Sequence, residues 1–176
     1  NGIKWTDNSG SITSYHLGLM VAGSDIEVSP DGNKIGYSLR TDRDNQTEIF
    51  FADITSGLTN NVERIKMSEV LIKPDMVNSS ITGYSPTTPS QYLTPTQLGS
   101  SNFYLGFLKN FERKIAYLEF SLNGNYLYYS AGGYVSAYYA NLSYLGQLDL
   151  NSNVNGKYTT SIQVIATDNW SQSTGR

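Results

Sequence analysis

The strongest constraint on this chain is a stretch that occurs twice. Ile26 to Ser38 reads IEVSPDGNKIGYS, and Leu118 to Ser130 reads LEFSLNGNYLYYS. The copies align without a gap, 118 − 26 = 92 positions apart, pairing Glu27 with Glu119, Ser29 with Ser121, Gly32 with Gly124, Asn33 with Asn125, Tyr37 with Tyr129 and Ser38 with Ser130. Apolar positions match apolar ones (Ile26 with Leu118, Val28 with Phe120, Ile35 with Leu127). Each copy is a short apolar run, a tight turn and a second apolar run. Pro30 suits the first central position of that turn, and Gly32 can take a positive φ. After the first copy come a polar patch, Thr41 to Asn45, and a third run, Ile49 to Ile54, closing on Thr55-Ser56-Gly57. Such β-rich runs, punctuated by Pro, Asp, Asn and Gly, predict an antiparallel meander.

A repeated four-stranded unit that cannot bury both of its faces alone predicts an all-β chain of β-propeller blades. The run SPDGNKIGYSL followed by TDRDNQTEIFFADITSG resembles the TolB-type β-propeller repeat, with its "SPDG" turn, "SDRDG" loop and "EIY" strand. The resemblance covers Ile26 to Gly57 well and Leu118 to Leu150 less well. The second copy has Leu122-Asn123 where Pro-Asp is usual, and it lacks the Asp-Arg-Asp loop. An SPDG blade followed by a later "EFS-x-x-G-x-x-LYYS" blade is also similar to the propeller region of Bacteroidetes surface proteins exported by type IX secretion. That similarity implies a secreted or surface-displayed bacterial protein, not an enzyme.

In chain order, residues 1–22 read as the end of a preceding blade, with Ile12 to Met20 as its outer strand. Residues 23–73 read as a blade whose fourth strand lies within Val62 to Ile72, although Glu63, Arg64, Lys66, Met67 and Glu69 also tolerate helix. Residues 74–111 form a Pro/Ser/Thr-rich insertion. Regular structure is not expected across 74–101, which holds Pro74, Pro86, Pro89 and Pro95, and residues 78–101 are expected to be exposed and cut first by a protease. Asn102 to Leu108 reads as a strand. Residues 112–167 read as a second blade, with strands Ile115–Phe120, Tyr126–Ser130, Tyr144–Leu150 and Ser161–Ala166, and 168–176 as a tail. A degenerate middle blade within 70–111 competes with the insertion, which is preferred for want of a second SPDG-like turn. Closed propellers typically need four to eight blades. The expectation is therefore a partial propeller, with uncovered apolar faces at both ends and the missing blades supplied by further sequence or a partner.

The 176 residues suffice for one domain with a core. The net charge of −3, with Lys and Arg scattered, gives no footprint for nucleic acid, and no apolar run is long enough to insert into a membrane. The chain begins on Asn without a signal-peptide pattern and reads as a mature form or a fragment. The absence of Cys removes disulfides, thiolate metal sites and cysteine nucleophiles. Charged residues are 15%, and Tyr, Ser, Thr, Asn and Gly take their place, a mixture suited to exposed β-structure outside the cell.

Chemistry is sparse. The one histidine, His16, leaves no triad and no multi-histidine metal site. Asp42, Asp44 and Glu48 form a weak calcium pattern, because Gln46 stands at the next alternate position and the loop Gly is missing. Asp31, Asp53 and Asp149 stand where Asp caps local backbone. Tyr126 and Tyr128 alternate with Leu127 and Tyr129, and both sets read as packing. Tyr134, Tyr138 and Tyr139, with Tyr84 and Tyr92, are the candidate binding residues, since exposed aromatics serve as hot spots or stack on sugars. No catalytic residue, metal or cofactor is assigned. The expected function is a non-enzymatic module in the extracellular space, at the cell surface or in the periplasm. Its expected partner is a protein or the remaining blades of a larger propeller. The alternatives are a carbohydrate-binding or glycan-processing propeller and a periplasmic TolB-like envelope accessory protein.

Overall fold

The computed structural model describes residues 3–6, 12–15, 26–41, 46–54, 62–79, 84–85, 91–113, 115–135 and 140–166. The fold is mostly β, and its sheets are antiparallel apart from one short strand. Strands β1 (Ile3–Thr6) and β2 (Ile12–Tyr15) pair as a hairpin. The first sheet is a four-stranded meander of β3 (Ile26–Val28), β4 (Lys34–Thr41), β5 (Gln46–Asp53) and β6 (Val62–Lys66). The fourth run of this repeat is thus strand, not helix. A short 3-10 turn, Pro74–Met76, leads to β7 (Val77–Ser79). Helix α1 (Pro95–Ser101) and a succession of 3-10 turns over Phe103–Arg113 follow. The second sheet comprises β8 (Ile115–Phe120), β9 (Tyr126–Val135), β10 (Ala140–Val154) and β11 (Lys157–Ala166), again a meander, with β7 added parallel on the far side of β11. No helix among the described residues is long and apolar enough to cross a membrane.

The repeat seen in the sequence is reproduced atom by atom at the two turns. Gly32 N–H donates to Ser29 O at 2.8 Å, and Gly124 N–H donates to Ser121 O at 2.8 Å. The Ser29 hydroxyl donates to Asp31 Oδ1 and accepts from Lys34 N–H; the Ser121 hydroxyl donates to Asn123 Oδ1 and accepts from Tyr126 N–H. Asn33 N–H and Asn125 N–H complete the networks on Asp31 Oδ1 and Asn123 Oδ1. Both glycines take positive φ, 72° and 68°, which a side chain resists. Each third strand then closes onto its turn, Ile54 N–H on Asn33 O and Leu150 N–H on Asn125 O. The Lys34 ammonium reaches Gly124 O, so one turn touches the other.

Strand alternation gives each sheet an inward face, and the two inward faces share one core. Ile49, Phe51 and Ile65 of the first sheet cluster with Leu118, Phe120, Leu127, Tyr129, Leu148, Ile162 and Val164 of the second. At one side the sheets touch directly. Strands β3 and β4 lie against β8, and a Cβ on Gly36 would sit 3.2 Å from the Phe120 ring. The 3-10 turns lie against β5, and Met67, Val70, Ile72, Val77, Leu98, Leu105, Phe107 and Leu108, from the segment that joins the sheets, enter the same core. Tyr158 fastens the sheets further, with its ring edge-on to Phe51 at 5.8 Å and its hydroxyl bonded to the Glu63 carboxylate.

Two expectations for this joining segment are overturned. Residues 78–101 are not an exposed irregular loop throughout, because α1 is buried at Pro95, Leu98 and Gly99. Its start is a capping box: Thr94 Oγ1 accepts from Gln97 N–H, and the Gln97 side chain accepts from Thr94 N–H. Pro95, which read as a breaker, stands in the first helical turn, where a missing N–H costs nothing. Asn102–Leu108 is not a strand. The alternation Phe103, Leu105, Phe107 suggests one, but Leu105 and Leu108, three apart, both face the core of a 3-10 segment.

Inside the second sheet, Tyr129 lies across its cross-strand neighbour Gly146. Its ring is 2% exposed, and its hydroxyl shares a 2.8 Å hydrogen bond with Thr160 Oγ1. Burial pushes that hydroxyl far above the ordinary tyrosine range. A Cβ at Gly146 would stand 1.8 Å from the ring.

Two outcomes follow. Gly32→Val and Gly124→Val, whose Cβ atoms meet nothing within 4 Å, should each lose about 1 kcal/mol in thermal or urea unfolding from backbone strain alone; unchanged melting in both would refute the turn assignment. Gly146→Ala should cost about 2–3 kcal/mol by overpacking, and much less in a Tyr129→Leu background. Additive effects of those two changes would show that the ring and the glycine are not coupled.

Candidate functional site

The outer faces of the two sheets differ. On the first, alternation turns Ile35, Tyr37, Phe50 and Ala52 away from the shared core, yet Ile35, Tyr37 and Ala52 are only 6%, 4% and 2% exposed. Tyr37 stacks on its cross-strand partner Phe50 with centroids 5.1 Å apart. This face is therefore covered within the chain. On the second sheet the outer face is open and mostly polar. Register places Glu119, Tyr128, Gln147 and Ser161 in one row across β8, β9, β10 and β11. Gln147 Nε2 donates to Tyr128 Oη and Ser161 Oγ donates to Gln147 Oε1, each at 3.3 Å. Tyr128 is 42% exposed and Leu145, on the same face, 52%.

At the end of this row β8 carries a bulge between Ala116 and Leu118. The inserted residue is Tyr117, with φ 55° and 71% exposure. A bulky side chain in the left-handed region costs energy that Gly or Asn would not incur. The bulge thus sets a strained, exposed aromatic on a strand that ends its sheet.

The residues singled out from sequence are placed differently. Tyr138, Tyr139, Asp42, Asp44 and His16 lie outside the described residues. Tyr134 sits in β9 opposite Asn141. Tyr84 and Tyr92 converge on one corner of the joining segment. The Tyr84 hydroxyl donates to Pro74 O at 2.7 Å, and the Lys73 ammonium lies 4.4 Å from the centroid of the Tyr92 ring. Burial, helped by nearby Asp75, raises the Tyr84 hydroxyl's pKa. Both rings are half-buried. Asp31 and Asp149 do cap local backbone, each accepting from the amide two residues on. The Ser29 hydroxyl, before any other contact, holds the Asp31 carboxyl below its usual range.

Glu48, the third member of the calcium pattern, is 5% exposed and held by Arg64: Nη2 on Oε1 at 2.5 Å and Nε on Oε2 at 2.8 Å. Both carboxylate oxygens are occupied by a bidentate guanidinium, whose own pKa Glu48 raises. Among the described residues no group of three or more His, Cys, Asp or Glu could hold a metal ion.

Tyr117 and Tyr128 are exposed tyrosines that the sequence did not single out as such. Tyr128 is assigned to packing there because both faces of a propeller blade are expected to be covered; here Leu127 and Tyr129 are the buried pair. The available signal was polar company, since Glu119, Gln147 and Ser161 share the parity of Tyr128. The bulge at Tyr117 leaves no mark in the sequence.

Arg64→Ala should destabilise the fold by about 1–2 kcal/mol, because it leaves the Glu48 carboxylate buried and unpaired. Glu48→Gln should cost less, since the amide keeps one acceptor for the half-exposed guanidinium. The reverse order in urea unfolding would show that Glu48 is solvated. No family model, curated protein or solved structure matches the chain.

Proposed function

We propose that this chain is a non-enzymatic interaction module of the TolB-like propeller type, displayed outside the cytoplasm, on the cell surface or in the periplasm, and that it binds a protein partner. The observation that carries the reading is the contrast between the outer faces. One is sealed inside the chain, whereas the other offers Tyr128 and Leu145 to solvent beside the strained Tyr117. Exposed Tyr on a rigid sheet is a common form of protein-binding hot spot, because little side-chain entropy is lost on contact. The repeated turn supports the propeller part. Two meanders closed by the same Ser–Asp/Asn–Gly–Asn network and packed inward face to inward face are how neighbouring blades would be built. The remaining blades of a larger propeller would come from further sequence or from a partner.

A second reading has its own observation. The Tyr128–Gln147–Ser161 row is an uncharged line of hydroxyls and amides, chemistry that suits a glycan. Capture of a defined envelope or surface protein by the chain, lost in Tyr128→Ala/Leu145→Ser with melting unchanged, is the expected outcome. Capture that survives the double substitution would move the site elsewhere. A glycan-array signal lost in the same variant would replace the protein partner by a sugar.

A further inference from the structure

We infer that the site on the second sheet takes a cationic side chain, so that the partner is an extended basic peptide segment; this rests on the reading of the chain as a protein-binding module. Glu119 is exposed and directly opposite Tyr128 in the β8–β9 register. Among the described residues no cation pairs with it. Tyr128 thus stands beside the carboxylate across the ladder, and the exposed Tyr117 lies two residues before Glu119 in the chain, at the bulge. A carboxylate attracts an ammonium or guanidinium, and an aromatic face adds cation–π attraction to the same group. Opposite Glu119 along the row stand amide and hydroxyl groups, Gln147 and Ser161, which can bond a peptide backbone without competing for the charge.

The wider charge favours the same partner. The chain carries a net −3, so a basic segment is drawn to it and an acidic one repelled. The bulge at Tyr117 bends and interrupts the end strand, which disfavours simple strand addition there. Recognition is thus assigned to the side chains of the face. Exposed ion pairs and cation–π contacts are individually weak, so each residue contributes a modest factor.

The test is titration of the whole chain with a labelled twelve-residue peptide of alternating Lys and Thr. A Ser/Gly/Thr peptide and cellohexaose are the neutral probes. The Lys/Thr peptide should bind at about 20 mM salt and weaken strongly at 0.5 M. Glu119→Gln and Tyr128→Ala should each weaken it about 3–10-fold. Tyr117→Gly and Tyr117→Asn should weaken it similarly while raising the melting temperature, because both residues accept a positive φ. A fall in melting temperature with binding unchanged would make Tyr117 structural and overturn its part in the site. Absence of Lys/Thr binding, or binding insensitive to Glu119→Gln and Tyr128→Ala, overturns the inference. If envelope-protein capture persists in that case, the module reading stands. Binding of cellohexaose alone, lost in Tyr128→Ala, overturns the cationic partner in favour of a sugar.

Discussion

A sheet is one layer thick, and a meander of four short strands cannot bury either face by itself. Every other feature of this structure answers that constraint. The two meanders present Ile49, Phe51 and Ile65 on one side and Leu118, Phe120, Leu127 and Tyr129 on the other to a single core. Where β3 and β4 approach β8, the missing side chain of Gly36 lets the sheets touch. Elsewhere the joining segment supplies the apolar bulk. The core is thus three contributions pressed together, and burial on this scale is what offsets the entropy of ordering so many turns.

The strands were legible because two local signals agree. Period-two alternation sets the faces, and the turn chemistry of Ser29-Pro30-Asp31-Gly32 and Ser121-Leu122-Asn123-Gly124 sets the register. The substitution of Asn123 for Asp31 costs the turn nothing visible, since either side-chain oxygen accepts from the same hydroxyl and amide. A further hairpin signal went unused. Asn155-Gly156, with φ 53° and 79°, makes the tight turn from β10 to β11, which is why β11 starts at Lys157 rather than Ser161.

What was not legible depends on distant partners. The prolines of the joining segment read as breakers, but Pro74 opens a 3-10 turn packed into the core, and Pro95 opens a helix whose own local signal, the Thr94-x-x-Gln97 capping box, went unread. The site suffered in the same way. Tyrosine parity along β9 was readable, but which parity faces solvent depends on what lies across each sheet. The sequence candidates Tyr84 and Tyr92 were expected to be exposed, and instead they are half-buried against Pro74 and Lys73.

The route of the chain has a kinetic consequence. Strand β7 follows the first sheet in sequence but, among the described residues, pairs with β11, Val77 beside Ile162, at the far end of the second. Ile72 and Val77 are sealed into the core with residues as late as Val164. During vectorial synthesis the first meander must therefore wait, its inward face unsealed, until almost the whole stretch has emerged. Closure over such sequence separations is slow, and the interval is one in which bare apolar strands are open to wrong pairing. The three charges on β6, Glu63, Arg64 and Lys66, stand on the strand that ends the first sheet, where charge discourages strand addition by another chain during that wait.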